Sequence, residues 1–175
     1  ERTLAAFAPN GRRARPKRLD RSAQDRRFPC KRKDMQMSKV AVVYWSGTGN
    51  TEAMADLVAQ GVRAAGGTAD LVQCNDFSAD RIGDFDAFAF GCPAMGDEEL
   101  EDTEFLPMYD EVEPALSGQK VALFGSYDWN DGEWMELWEQ RADEAGLNVV
   151  DSVIAKDYPD DDAAAECMRL GALLA

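Results

Sequence analysis

Along residues 37–175, apolar positions fall into continuous runs and helical stripes that alternate. Val40-Ala41-Val42-Val43-Tyr44-Trp45 is an uninterrupted apolar, β-branched run, the pattern of a strand covered on both faces. Ser46-Gly47-Thr48-Gly49-Asn50 breaks it. From Thr51 onward, Met54, Leu57, Val58, Val62 and Ala65 recur at helical spacing, and Gly66-Gly67 stops the helix. Thr68–Val72, Phe85–Phe90, Val121–Phe124 and Asn148–Ile154 read as four further strands. A helix is predicted over Glu133–Ala145, with Trp134, Trp138 and Ala142 on one side and Gly146 as its stop. Asp160 is placed to cap a last helix, in which Asp161 and Asp162 suit the positive dipole end and Ala164, Cys167 and Met168 face inward. Strands alternating with helices predict an α/β fold, a doubly wound five-stranded parallel sheet of order 2-1-3-4-5 with helices on both faces. Ligands of such sheets bind outside the carboxyl ends of the strands, which directs attention to the loops after strands one, three and four.

Charge divides the chain in two. Residues 1–36 carry 12 Lys/Arg and 4 Asp/Glu, whereas residues 37–175 carry 7 and 29. The basic segment is rich in arginine and poor in large apolar groups, so its composition predicts a disordered extension. It lacks the apolar core of a secretory leader. Met35 or Met37 would serve as an initiator just before the first strand. The functional alternative is a basic tail that binds nucleic acid or folds back on the acidic part. Residues 37–175, at a net −22, form one domain that phosphate backbones and anionic lipid surfaces would repel. The absence of histidine excludes Ser-His-Asp catalysis and imidazole-ligated metals. Cys30, Cys74, Cys92 and Cys167 lie far apart with no CxxC spacing, as expected of buried thiols in a reducing compartment. No apolar run approaches the ~20 residues of a membrane span.

The first loop, Ser46-Gly47-Thr48-Gly49-Asn50-Thr51, joins a buried strand to a helix start. Its two glycines and outward-pointing amides suit a phosphate, with no side-chain cation. It lacks the lysine of a Walker A loop, and Glu52 stands where GxGxxG requires glycine. On its own it reads almost equally well as a capped turn. The second loop, Cys92 to Glu99, offers Met95 as a polarisable surface for a flat ring and Gly96 as a peptide free to rotate. The alternatives are a core methionine and a plain turn. In the third loop, Gly125 to Trp134, Trp129 stands among polar turn residues, where an exposed indole invites a stacking partner. Trp134 and Trp138 suit the core better, and Tyr127 is open between the two.

Taken together, Val43–Glu52, Ala94–Glu98 and Val121–Tyr127 resemble a short-chain flavodoxin, in the right order and over essentially residues 37–175. That resemblance implies the flavodoxin-like sheet and non-covalent FMN, with the 5′-phosphate on Ser46, Gly47, Thr48, Gly49, Asn50 and Thr51. The flavin ring would lie between the loop of Pro93, Ala94, Met95, Gly96, Asp97 and Glu98 and that of Ser126, Tyr127, Asp128, Trp129 and Asp131. It further implies that the Gly96-Asp97 peptide flips to bond flavin N5 in the semiquinone, and that Asp97 and Glu98 act mainly through their backbone. Pro93 has no N–H, which removes any backbone donation to the flavin there. The implied function is a low-potential, cytoplasmic, monomeric one-electron carrier between redox enzymes. The acids Asp97, Glu98, Glu99, Glu101, Asp102 and Glu104 would steer basic partner faces to the flavin edge. Three alternatives stand beside it: a small FMN-dependent reductase, an FMN-binding regulatory module, and a phosphoacceptor receiver. The receiver would need clustered acids where Trp45-Ser46-Gly47 stands.

Overall fold

The computed structural model describes residues 37–175; the basic segment 1–36, with every expectation placed on it, lies outside the described residues. Five parallel strands form one sheet: β1 (Lys39–Tyr44), β2 (Thr68–Gln73), β3 (Ala87–Gly91), β4 (Lys120–Tyr127) and β5 (Asn148–Lys156). Their spatial order is β2-β1-β3-β4-β5, as the alternating pattern predicts. The β1 run is apolar throughout because both its faces are covered. Val40 and Val42 point toward one helical layer, Ala41 and Val43 toward the other, and all four are fully buried.

The first layer holds α1 (Asn50–Ala64) and α4 (Asp161–Leu174), the second α2 (Phe105–Val112) and α3 (Glu133–Glu144). Where α1 crosses α4, residues 61 and 171 are both glycine. A β-carbon on Gly61 would fall 2.0 Å from the Met168 carbonyl oxygen, and one on Gly171 would fall 2.0 Å from that of Val58. The helices therefore touch backbone to backbone. Asp160 caps α4 as its position suggests, accepting from the Ala163 amide at 2.9 Å. Met168 departs from expectation: it is 38% exposed, while Cys167, Leu170, Gly171 and Leu174 form the buried stripe. The α4 stripe is thus centred on Gly171, and the inward slot beside Met168 is filled by its backbone.

Helix α2 is absent from the sequence reading. It is eight residues long, follows an acidic run and carries Pro107 in its first turn, where the missing N–H removes no helical bond. Phe105, Met108, Tyr109 and Val112 still give it a buried face. Its start is held by Glu101, a buried carboxylate that accepts from the Thr103, Glu104 and Phe105 amides at 3.0, 2.8 and 2.8 Å and from the Thr103 hydroxyl. Burial alone would raise this carboxyl, but those hydrogen bonds to the charged form outweigh it and hold the pKa below the ordinary value. A depressed folded pKa means that the carboxylate stabilises the fold above the usual ~4.3 and that this contribution fades as pH falls through the folded pKa. Glu101→Gln should therefore cost about 1–2 kcal/mol at pH 7, within the range of lost helix caps. Urea unfolding of both proteins should show that gap closing in acid; a gap that is constant from pH 7 to 3 would contradict the assignment.

The cysteines within residues 37–175 are free and buried: Cys74 against α2, Cys92 just after β3, Cys167 on the inner face of α4. Burial pushes the Cys74 thiol up to about 11 and the Cys167 thiol up to about 12, and moves Cys92 in the same direction. Among the described residues no helix is long and apolar enough to cross a membrane.

Candidate functional site

At the carboxyl edge of the sheet the ladder bonding runs on into the loops. The Trp45 amide donates to Gly91, Cys92 to Phe124, and Ala94 to Ser126, all at 2.9–3.0 Å. These bonds bring the segments after β1, β3 and β4 side by side. β1 is the switch point of this order, since the chain leaves it toward β2 and returns on its other side as β3, opening the crevice typical of doubly wound sheets.

The first wall is the start of α1. Gly49 caps the helix at φ +91°, a conformation that costs a residue with a β-carbon ~1–2 kcal/mol. Its amide donates to Ser46 Oγ at 3.1 Å, and its carbonyl accepts from Ala53 at 3.0 Å. Among the described residues, the amides of Gly47, Thr48, Asn50, Thr51 and Glu52 have no acceptor. Several converging donors at a helix N-terminus make an anion site. Thr51 points inward: its hydroxyl pairs with Ser126 Oγ at 3.0 Å, with both residues buried, and so ties this wall to β4.

The second wall is the loop after β3. Met95 and Glu99 exchange two backbone hydrogen bonds of 2.9 Å, closing a tight turn over Gly96, Asp97 and Glu98. Gly96 has φ +50° and Glu98 φ +63°. Glu98 is buried, and its Oε2 accepts from the Trp134 amide at 3.1 Å, so this carboxylate anchors the loop to the first turn of α3. Its side chain thus has a structural task that the sequence reading, centred on its backbone, leaves out. Asp97 is exposed.

The third wall follows β4. Tyr127 is half-buried against Trp134, with ring centroids 5.8 Å apart, and Trp134 Nε1 donates to the Cys92 carbonyl at 3.3 Å. Trp134 and Trp138 are core, as predicted. Trp129 is 66% exposed and Met95 38%, the two large apolar groups of these loops that lack cover.

Between the walls lies a cavity of about 350 Å³. Gly47, Thr48 and Asn50 face it from the first loop, Pro93, Ala94 and Met95 from the second, and Ser126, Tyr127 and Asp128 from the third. Of the remaining candidates, Ser46 and Gly49 shape the first loop and Thr51 braces it. Gly96, Asp97, Glu98 and Trp129 stand outside the lining, and Asp131 borders a separate cleft beside α3 and β5. Two lining residues escape the sequence reading: Trp45 and Asp157. Trp45 ends an apolar run and passes there for core. Asp157 follows β5, a fourth loop at the same edge; its φ is +57° and its amide donates to the Tyr127 carbonyl at 2.7 Å.

The residues fit FMN in three respects. The volume is within the ~300–1,000 Å³ of small-molecule sites. Unpartnered amides without a lysine or arginine in the lining suit a phosphate monoester, and the uncovered Met95 supplies a surface for a planar ring, with the exposed Trp129 on the third loop outside the lining.

The profile of the family described as Flavodoxin matches residues 42–171. The flavodoxin of Megasphaera elsdenii is 47% identical over 132 residues, which cover 75% of this chain and 95% of that one. The flavodoxin of Clostridium beijerinckii is 42% identical over 134 residues, covering 77% and 97%. The solution structure of two-electron reduced M. elsdenii flavodoxin superposes with a TM-score of 0.73 at 46% identity, over 77% of this chain and 97% of that one. With the fold, the loop order and these relatives in agreement, the chain belongs to the flavodoxin family.

Proposed function

We propose that residues 37–175 form an FMN-binding domain that carries electrons singly and at low potential between cytoplasmic redox enzymes, and that residues 1–36 are a basic extension outside it. Flavodoxins are FMN-binding electron carriers rather than enzymes, and this chain is one of them. The observation that best supports the site assignment is the set of free amides at the start of α1, facing a cavity whose other walls present Met95 and Tyr127. Bound FMN supplies reversible one- and two-electron chemistry, while the protein tunes and orients it.

The chain's own residues have four tasks. The amides of Gly47, Thr48 and Asn50, which line the cavity, would take the phosphate dianion without a cation, at the positive end of the α1 dipole. Met95 and Tyr127, which line the cavity, would hold the ring, and the exposed Trp129 on the loop beside it would add a further stacking surface. The Gly96-Asp97 peptide presents either its carbonyl or its N–H toward the ring edge. It is able to turn because the Met95–Glu99 hydrogen bonds hold both ends of the loop while Gly96 tolerates either backbone region. Asp128 and Asp157 at the lining, with Asp97 and Glu99 on the nearby loop, make added negative charge in the cavity unfavourable.

Stepwise reductive titration of the purified protein, followed by its visible spectrum, tests the reading. Two resolved one-electron steps support a carrier, and a single two-electron step would refute it. The same titration on Gly96→Ala should give a narrower gap between the two midpoint potentials. A β-carbon strains the positive-φ conformation by ~1 kcal/mol, similar to one net hydrogen bond. An unchanged gap would remove the peptide-rotation argument.

Redox partners follow from a carrier's role. Four acids near the second loop, Asp97, Glu99, Asp102 and Glu104, are exposed, whereas Glu98 and Glu101 are buried in structural tasks. The exposed four support docking of basic partner faces. Transfer rates to a reductase that ignore ionic strength would exclude that role.

A further inference from the structure

The Trp45 indole lines the cavity and also lies against the phosphate loop. A β-carbon built on Gly47 would sit 2.9 Å from Trp45 Cη2 and 3.2 Å from Cζ3, so the ring packs directly on the Gly47 backbone. Trp45 Nε1 donates to Glu104 Oε2 at 2.6 Å, and Glu104 Oε1 accepts from Asn75 Nδ2 at 3.0 Å. Segments that follow β1, follow β2 and precede α2 thus meet at one carboxylate. Glu104 is itself held, because its amide donates to Glu101 Oε2 at 2.8 Å.

A carboxylate is at first sight misplaced beside a cradle for an anion. Its charge opposes phosphate, weakly, since Glu104 is exposed and screened. Its geometry works the other way. The loop Ser46–Asn50 contains two glycines and would lose much backbone freedom on binding. A ring clamped over Gly47 removes part of that freedom beforehand, and pre-organisation of this kind raises affinity. Resting on the FMN reading above, we propose that Glu104 is a positioning residue for cofactor binding: by holding Trp45 over Gly47 it fixes the loop whose amides take the phosphate.

Charge and position predict opposite signs, and this makes the proposal testable. Three ligands are titrated into the FMN-free protein: FMN, riboflavin, which lacks the phosphate, and inorganic phosphate. Glu104→Ala should weaken FMN and inorganic phosphate about fivefold, the scale of one net hydrogen bond, and change riboflavin less than twofold. Glu104→Gln should stay within twofold of wild type for all three. Its Oε1 accepts from the indole, and its Nε2 donates to the Oδ1 of a turned Asn75 amide. Asn75→Ala, which removes one partner of the Glu104 carboxylate and leaves Glu104 itself in place, should weaken FMN in the same direction as Glu104→Ala. If both Glu104 variants bind FMN as tightly as wild type, or more tightly, the positioning role is wrong. Equal losses for FMN and riboflavin would also overturn it, as a general structural effect. A wild-type chain that fails to bind FMN would instead remove the reading on which the proposal rests.

Discussion

Gly171→Ala should lower the stability of the flavodoxin domain by about 3 kcal/mol, although alanine is the better helix former by ~1 kcal/mol. Propensity and packing oppose each other here, and the distances decide. The new β-carbon would meet the Val58 carbonyl oxygen at 2.0 Å and the Val62 amide nitrogen at 2.9 Å. These are backbone atoms of α1, so no rotamer change relieves them and the helices must separate. Overpacking of this kind costs ~1–3 kcal/mol and sometimes more. The helix pair also carries Val58, Val62, Leu170 and Leu174, whose packing loosens with it. Thermal unfolding should show a fall of about 10 °C. Gly61→Ala should behave alike, and the double variant should cost less than the sum, because one separation relieves both clashes. Gly83→Ala is the control, since nothing lies within 4 Å of its β-position. A Gly171→Ala protein as stable as that control would refute the argument.

Gly125→Ala should have a comparable effect on stability and a larger one on FMN affinity. The added carbon would fall 2.1 Å from the Cys92 carbonyl oxygen and 3.2 Å from Trp134 Cζ2. That carbonyl accepts from Trp134 Nε1, and the adjoining ladder bonds, Cys92 to Phe124 and Ala94 to Ser126, hold the second and third walls together. Relieving the clash moves Pro93–Met95 away from Ser126–Asp128, which changes the width of the cavity itself. We expect about 3 kcal/mol lost in urea unfolding and at least a tenfold weaker FMN Kd, since misplacing several contacts at once exceeds the ~1.4 kcal/mol of one decade. Wild-type FMN affinity in a destabilised Gly125→Ala protein would show that this contact serves the fold and not the site.

What the sequence reveals follows from how local each cause is. The β1 run and the α1 stripe are legible because burial on two faces, or on one helical side, writes itself into neighbouring residues. The glycine-rich loop is legible for the same reason. Helix α2 is hidden because its start signal is the Glu101 carboxylate, which gathers amides in place of the usual Ser or Thr cap. Trp45 and Asp157 are hidden because their places in the cavity depend on three other strands. The pairing of Gly61 with Gly171 spans most of the domain and appears only once the helices cross. Met168 reads as inward from the apolar pattern yet is exposed, since α4 turns a glycine, not a large side chain, toward its partner.

The three buried thiols have a practical consequence. Burial raises the Cys74 thiol to about 11 and the Cys167 thiol to about 12, so thiolate is scarce at pH 8, and the same burial keeps reagents away. Apart from Cys30, which lies outside the described residues, alkylation should proceed only through transient opening of the domain. The labelling rate of each cysteine then becomes a local clock: Cys167 times the parting of α4 from the sheet, and Cys74 the loosening of α2. In a protein whose work is electron transfer, these three thiols serve as reporters of how the fold opens.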